Sequence, residues 1–529
     1  MPGKTTTRVI ALDTEDDSQG TVTLINFFDG LEHVTFAGPG MRERAWGWLQ
    51  TVEPAWVWAC NLEYDLINLF GDWLGKLTTL QYVSAGLMRA TSREARVQFF
   101  DTLRHWPASV ENMGREIGLH KLEATFDGSV DYMRSGLGGA LSFIGLLTYC
   151  RRDTEIVWRY VVAMLERYEA LDLKIRPTLP AMALQLFRKT FYRKSFVRLP
   201  HDVLEFFRQG YYGGRVEVFR LGKVGMTARD LERYRDGETD DDAVLAQGAF
   251  HHYDVNSLFP SMMAVYKFPS IDDWWTTERP DWSREGMADV TLEYPYQWIP
   301  CLPVRHETEI LYPHGRLRGT WPYPEIRQAI EDGAQVLRVH RAVEFPHAER
   351  PFREYVEFCY GRRLGATSDV DKTFWKLMMN SLYGKFGQSN KGMLTIFDDE
   401  EIRPESEKLS EHVNVVWSAY VTAYARLTLL RFLRACEEVY YTDTDSLFTP
   451  TVLPTSAKLG DLKHEGVILQ GEFKGNKLYL LTVKKKGTDH ETTEVAKAKG
   501  VRAAAAGDFI RNGRAVFRRP ARFRESRRS

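Results

Sequence analysis

Seven carboxylates in this chain fall into two groups whose surroundings suit work on phosphate esters. Asp13 and Glu15 close a short apolar run, Val9-Ile10-Ala11-Leu12, while Asp65 follows a second run, Trp56-Val57-Trp58-Ala59-Cys60, and Asp153 lies four residues after Tyr149. Asp254 comes directly after Phe250-His251-His252-Tyr253, and Asp443 and Asp445 stand between Glu438-Val439-Tyr440-Tyr441 and Leu447-Phe448. Phosphoryl transfer asks little covalent chemistry of a protein and rests on in-line positioning and on neutralising charge on phosphate oxygens. Two divalent metals about 3.5–4 Å apart can do both. Magnesium takes only one or two carboxylates and leaves places for substrate oxygens. A lone Asp-x-Asp also suits a solvated turn; Asp254 in its own motif and the flanking Tyr441 and Ser446 favour the metal reading.

Groups that could hold a triphosphate lie between these acids. Lys372, Lys376, Asn380 and Tyr383 recur at helical spacing and would share one side of a helix. The two lysines would meet the β- and γ-phosphates, and Tyr383 would lie beside the nascent base pair. Phe374-Trp375-Lys376-Leu377-Met378-Met379 also fits an amphipathic core helix with a snorkelling lysine. The elements that must position these groups are strands ending at Asp13 and Asp254, a hairpin with Asp443 and Asp445 at its tip, and helices around Tyr149 and Lys376. Alternation along a strand would place Asp443 and Asp445 on one face.

Asp254-Val255-Asn256-Ser257-Leu258-Phe259-Pro260, Lys376-Leu377-Met378-Met379-Asn380-Ser381-Leu382-Tyr383-Gly384 and Tyr441-Thr442-Asp443-Thr444-Asp445-Ser446 occur in that order. In them the chain resembles family B DNA polymerases, and among these the compact protein-primed (phi29-like) group of phages and linear plasmids, from about residue 8 to about residue 500. The resemblance implies a multidomain α/β and α+β fold, an RNase H-like exonuclease domain followed by a right-hand polymerase domain of palm, fingers and thumb. It makes Asp254 and Asp445 the main metal ligands, with the Val255 carbonyl beside them and Asp443 also required. Val255, Ser257, Leu258, Phe259, Lys372, Lys376, Asn380 and Tyr383 become the nucleotide pocket. Phe259 stands where the family usually has tyrosine, and its ring still fills the space of a 2′-hydroxyl.

The same resemblance makes Asp13, Glu15, Asp65 and Asp153 metal ligands of a DEDD-type 3′-5′ exonuclease, with Tyr149 orienting the attacking water. Thr14, Asn61, Tyr64, Thr102 and Leu103 would touch the frayed primer strand. Lys121 resembles the family's catalytic-site lysine, and an exposed loop lysine is the alternative. Tyr211, Gly213 and Gly214 resemble the element that passes the primer between the two sites, where glycines allow close approach to a phosphate; a tight turn fits equally. Lys477 and Tyr479 resemble a Lys-x-Tyr element gripping the primer terminus. The implied cofactors are two divalent ions per active site, Mg2+ or Mn2+. Implied partners are a DNA primer-template, deoxynucleoside triphosphates and a terminal protein primer, with the enzyme a monomer.

At 529 residues the chain should form at least two domains. The expected division is exonuclease over 1–180, ending in a helical segment at 181–187, and polymerase over 181–529. Within the latter, palm is expected around 250–265 and 436–450, an insertion at about 266–355 and fingers at about 356–387. A short second insertion is expected at about 388–412, and a thumb with a basic end at about 478–529. Apolar content of 44% and charged content of 27% are ordinary for a globular protein. No apolar run approaches the ~18 residues of a spanning helix, and the five scattered cysteines suit a reduced cytoplasmic setting, that of a host cell if the protein is viral. Net charge is only −1, but nine arginines crowd residues 501–529, where they could follow phosphates. Two alternatives stand beside the editing polymerase: a relative that starts DNA without any primer, and a DNA- or terminal-protein-binding scaffold with an eroded metal site. The presence of all seven acids opposes the second.

Overall fold

The structure is a computed structural model. It describes residues 7–512 apart from 18–19, 84–85, 124–135, 196, 198, 241–242, 308, 389–394, 399–400, 405–413, 486, 489 and 502. Most of the second insertion and the arginines beyond 512 therefore lie outside the described residues. Among the described residues no helix is long and apolar enough to cross a membrane.

In the first third, strand Arg8–Asp16 pairs in parallel with Ala55–Ala59, which pairs in parallel with Val97–Asp101. Antiparallel strands on both sides complete a nine-stranded sheet. Side chains alternate across the central strand, as the 2-residue period requires. Ile10 and Leu12 join the core under helices Met41–Thr51 and Leu62–Phe70, while Ala11 meets the opposite core with Trp58, Phe100, Ile156 and Val157. That second layer is the 35-residue helix Gly136–Ala170. Asp13 and Glu15 continue the Ala11 register, so the strand delivers them to the side on which this helix carries Tyr149 and Asp153.

The second large sheet has Phe250–Val255 at its middle, flanked by Ser446–Thr449 and Leu462–Gly475. Tyr441–Asp443 and Val216–Val218 extend it on one side, Leu478–Lys484 and Thr492–Ala498 on the other. The expected thumb boundary at 478 thus falls inside a continuous sheet, because the strand from 478 hydrogen-bonds directly to Leu462–Gly475. Helices Leu258–Val265 and Val415–Arg434 pack together, and the pair Arg353–Leu364 and Asp369–Phe386 stands beside them. Within residues 266–355 lie a four-stranded antiparallel sheet and helix Tyr323–Glu331.

Two features were not foreseen. The segment expected to close the exonuclease domain is helix Leu179–Leu186, and it packs on Asp369–Phe386 instead, burying Met182, Ala183 and Leu186. One buried core then runs from Trp58 through the 35-residue helix to Phe374 and Trp417, across position 180. Strand Thr395–Asp398 of the second insertion pairs with Thr78–Val83, so the insertion supplies the outer strands of the first sheet.

Candidate active sites

Asp254, the last residue but one of its strand, lies opposite Ser446 and Lys463. Asp445 occupies the turn between Tyr441–Asp443 and Ser446–Thr449, where Thr444 takes φ +66°. The Val255 N–H donates to the Asp445 carbonyl at 2.7 Å and fastens the two acidic segments together. Burial first, then the Asp445 charge, pushes the Asp254 carboxyl up to about 7, and burial raises Asp445 as well. Two carboxylates crowded in this way attract hard cations, so these residues fit a divalent metal site.

Asp443 behaves differently. Asp445 lies in the turn at Thr444 and not in a strand, yet it stays within reach of the Asp443 charge and of the same two lysines that bind Asp443. Lys477 and Lys497 take the two Asp443 oxygens at 2.6 and 3.0 Å. Burial alone would raise this carboxyl, yet the two lysines hold it below its ordinary value. Lys477, expected at the primer terminus, is engaged with Asp443 here, and the Tyr479 ring lies 5.2 Å from Tyr441 within an apolar cluster.

Helix Asp369–Phe386 presents Lys372 and Lys376 to solvent on one side, and Lys376 is near enough to draw down the Asp254 carboxyl. Lys372 meets Asp369 at 3.1 Å. Asn380 keeps a buried amide oxygen with no hydrogen-bond partner among the described residues. Below, the Phe259 and Tyr383 rings stack with centroids 4.4 Å apart. Val255 and Leu258 are buried, which leaves only their main chain for a ligand. Ser257, at φ +49°, accepts a hydrogen bond from Arg363 at 3.3 Å.

The loop Tyr211-Tyr212-Gly213-Gly214 lies against the acidic turn. A Cβ on Gly214 would come within 2.8 Å of Thr444, and the Thr444 N–H donates to the Arg215 carbonyl at 2.7 Å. Arg426 holds the loop by donating to the Tyr212 and Gly213 carbonyls at 2.8 Å, and it pairs through its other nitrogens with buried Glu325.

In the first domain, ligand atoms of Asp13, Glu15 and Cys150 lie within 4.8 Å of one another. Burial and the neighbouring acids push Asp13 up to about 7 and Glu15 up to about 9, and Asp65 and Asp153 are raised mainly by burial. Lys121 binds Asp153 and sits 4.5 Å over the Tyr149 ring, so it belongs to this cluster rather than to an exposed loop. One buried oxygen each of Asp13 and Asp153 has no hydrogen-bond partner among the described residues. Such orphaned acceptors among crowded acids also fit divalent cations.

Two expected DNA ligands turn inward. The Thr14 hydroxyl is buried and donates to Asp65 at 2.9 Å, because alternation points it away from Asp13 and Glu15. Thr102 is likewise buried. Asn61 is exposed, and Tyr64 and Leu103 are partly so. The Asp101 carboxylate accepts from the Asn61 and Leu103 N–H groups at 3.2 and 2.9 Å, tying both segments together.

Sequence reasoning missed Lys497, Arg363, Asp101 and the Arg426–Glu325 pair. Asp101 carries a local signal, an acid two residues before the N–H it caps. The others meet their partners only through the fold.

The family model "DNA polymerase type B, organellar and viral" matches residues 143–234 and 243–433, more than half of the chain. The chain belongs to this family. A "Probable DNA polymerase" of Neurospora intermedia is 25% identical to this type B chain over 409 residues, 67% of the chain and 39% of the relative. The "DNA-directed DNA polymerase" of Enterobacteria phage PRD1 is 26% identical over 321 residues, 55% and 53% of the two chains. The chain thus spans well under half the length of the fungal relatives it matches. Phi29 DNA polymerase, complexed with primer-template DNA and incoming nucleotide substrates, shares the fold at a TM-score of 0.74 with 17% identity, covering 95% of this chain and 94% of that one. Type B polymerases generally use divalent metals.

Proposed function

We propose that the chain is a template-directed DNA polymerase with a 3′-5′ proofreading exonuclease, acting in protein-primed replication of a phage or linear plasmid genome. The observation that carries this reading is the union of Asp254 and Asp445, distant in sequence, beside the helix bearing Lys376. We assign two divalent ions, Mg2+ or Mn2+, to Asp254, Asp445 and the Val255 carbonyl, and two more to Asp13, Glu15, Asp65 and Asp153. When bound, such ions activate the attacking oxygen and neutralise charge on the phosphates.

The protein's own groups do the rest. Lys372, Lys376 and Arg363 receive the triphosphate, and the Phe259–Tyr383 stack walls the sugar and base. Asp443 is the counter-ion that sets Lys477 and Lys497 beside the primer end. In the nuclease site Lys121 offsets the acids and Tyr149 orients water. The sheet of residues 266–355 is assigned to contact with the terminal protein, and a reducing cytoplasmic setting goes with this reading.

The test incubates the purified chain with a recessed primer-template and Mg2+, with and without deoxynucleotides. Extension with nucleotides and shortening without them are expected; the absence of both would refute the reading. A reaction lacking primer separates a primer-independent start from a protein-primed one.

A further inference from the structure

The 35-residue helix that carries Tyr149 and Asp153 does not end in the nuclease domain's own surface. Fourteen residues beyond Asp153, about 21 Å along the axis at 1.5 Å per residue, its last turns reach the fingers helix. There the Arg167 guanidinium donates to Asp371 at 2.7 Å, and the Tyr168 ring lies 5.8 Å from Phe374. Asp371 stands in the first turn of Asp369–Phe386, next to Lys372 and five residues before Lys376. A single rigid rod thus has nuclease ligands on one part and a bond to the triphosphate-binding helix on another.

Arg167 also has a second acid within electrostatic range. Glu116, at the end of helix Val110–Glu116, feels both Arg167 and Asp369, and one of its buried oxygens has no hydrogen-bond partner among the described residues.

We propose that Arg167 is a positioning residue, a latch that ties the fingers helix to the long nuclease helix through Asp371, so that nucleotide binding and editing are coupled through that long helix. This rests on the polymerase and nuclease assignment above. The ion pair is partly exposed, with side chains 26% and 38% accessible, so its contribution is modest. Its loss should raise the KM for deoxynucleotides, and the nucleotide concentration at which extension balances degradation, by about two- to fivefold. It should leave kcat and degradation of single-stranded DNA unchanged.

The experiment compares the full chain with Arg167→Ala, Asp371→Asn and Arg167→Lys, measuring KM, kcat, the balance concentration and the single-strand degradation rate. The first two variants should shift KM and the balance point alike, and Arg167→Lys should restore most of the shift. Unchanged values, or equal loss of kcat and nuclease rate, would overturn the latch. Amide hydrogen exchange over residues 371–375 supplies a readout independent of activity: Arg167→Ala should exchange faster there, and unchanged protection would overturn the latch. If the parent chain neither extends nor shortens DNA, the enzymatic reading fails, while the exchange result still decides whether Arg167 holds the fingers helix.

Discussion

Replacing Glu325 tests whether a buried ion pair seats the loop beside the polymerase acids. Arg426 and Glu325 are 1% and 0% exposed, and both guanidinium bonds to the carboxylate are short, at 2.8 and 3.0 Å. The remaining bonds of Arg426 go to the Tyr212 and Gly213 carbonyls. In Glu325→Ala the cation would stay buried against neutral carbonyls alone. Each lost charge-assisted bond contributes about 1.5–3 kcal/mol, and breaking one partner of a buried pair costs about 3–5 kcal/mol in total. Glu325→Gln keeps the shape and one acceptor and should cost less, about 1–3 kcal/mol. Denaturant unfolding followed by tryptophan fluorescence would report this, since Trp321 and Trp417 are buried in the same core. The loop that rests on Thr444 should loosen too, and primer extension should slow in the same order, alanine below glutamine below the parent. An unchanged midpoint for Glu325→Ala, or equal losses for alanine and glutamine, would refute the reasoning.

Asp445→Ala should abolish extension and spare primer degradation, whereas Asp13→Ala should do the reverse; a joint loss of both activities in each variant, read on one labelled primer, would contradict two separate sites. Without metal, Asp254 binds its proton more tightly folded than unfolded, so its contribution to stability should be full below the ordinary value of 3.8 and be lost as pH rises to about 7. The full span corresponds to about 4 kcal/mol, which solvent screening reduces to about 2 kcal/mol. Thermal unfolding with chelator across that range should show the slope, Asp254→Asn should lessen it by that share because Asp13 and Glu15 keep theirs, and Mg2+ at pH 8 should stabilise the variant less than the parent. Phe259→Ala removes the ring stacked on Tyr383 and should raise ribonucleotide incorporation relative to deoxynucleotide by about tenfold or more, checked by single-turnover kcat/KM ratios.

The seven acids, the lysine spacing and the strand-ending patterns were legible because they depend on neighbours along the chain. A period of two carries Asp13 and Glu15 to one side of a strand, and a period near 3.6 gathers Lys372 and Lys376 on one side of a helix. The same alternation, followed one residue further, would have turned Thr14 inward to Asp65. It does not describe Asp445, which lies in the turn at Thr444 rather than in a strand. The seam at 180 was misjudged because apolar residues of Leu179–Leu186 do not announce which apolar partner they will meet.

Sequence alone determined the chemistry on offer: which carboxylates, cations and rings the chain carries, and in what order. Tertiary structure decided which acids stay crowded enough to want metals and which are neutralised. Asp254 and Asp445 are left to repel one another, Lys477 and Lys497 quench Asp443, and Arg426 finds Glu325 in the heart of the protein. Those pairings join residues far apart in the chain, and no local period encodes them, since charge and burial act through space once the core has closed.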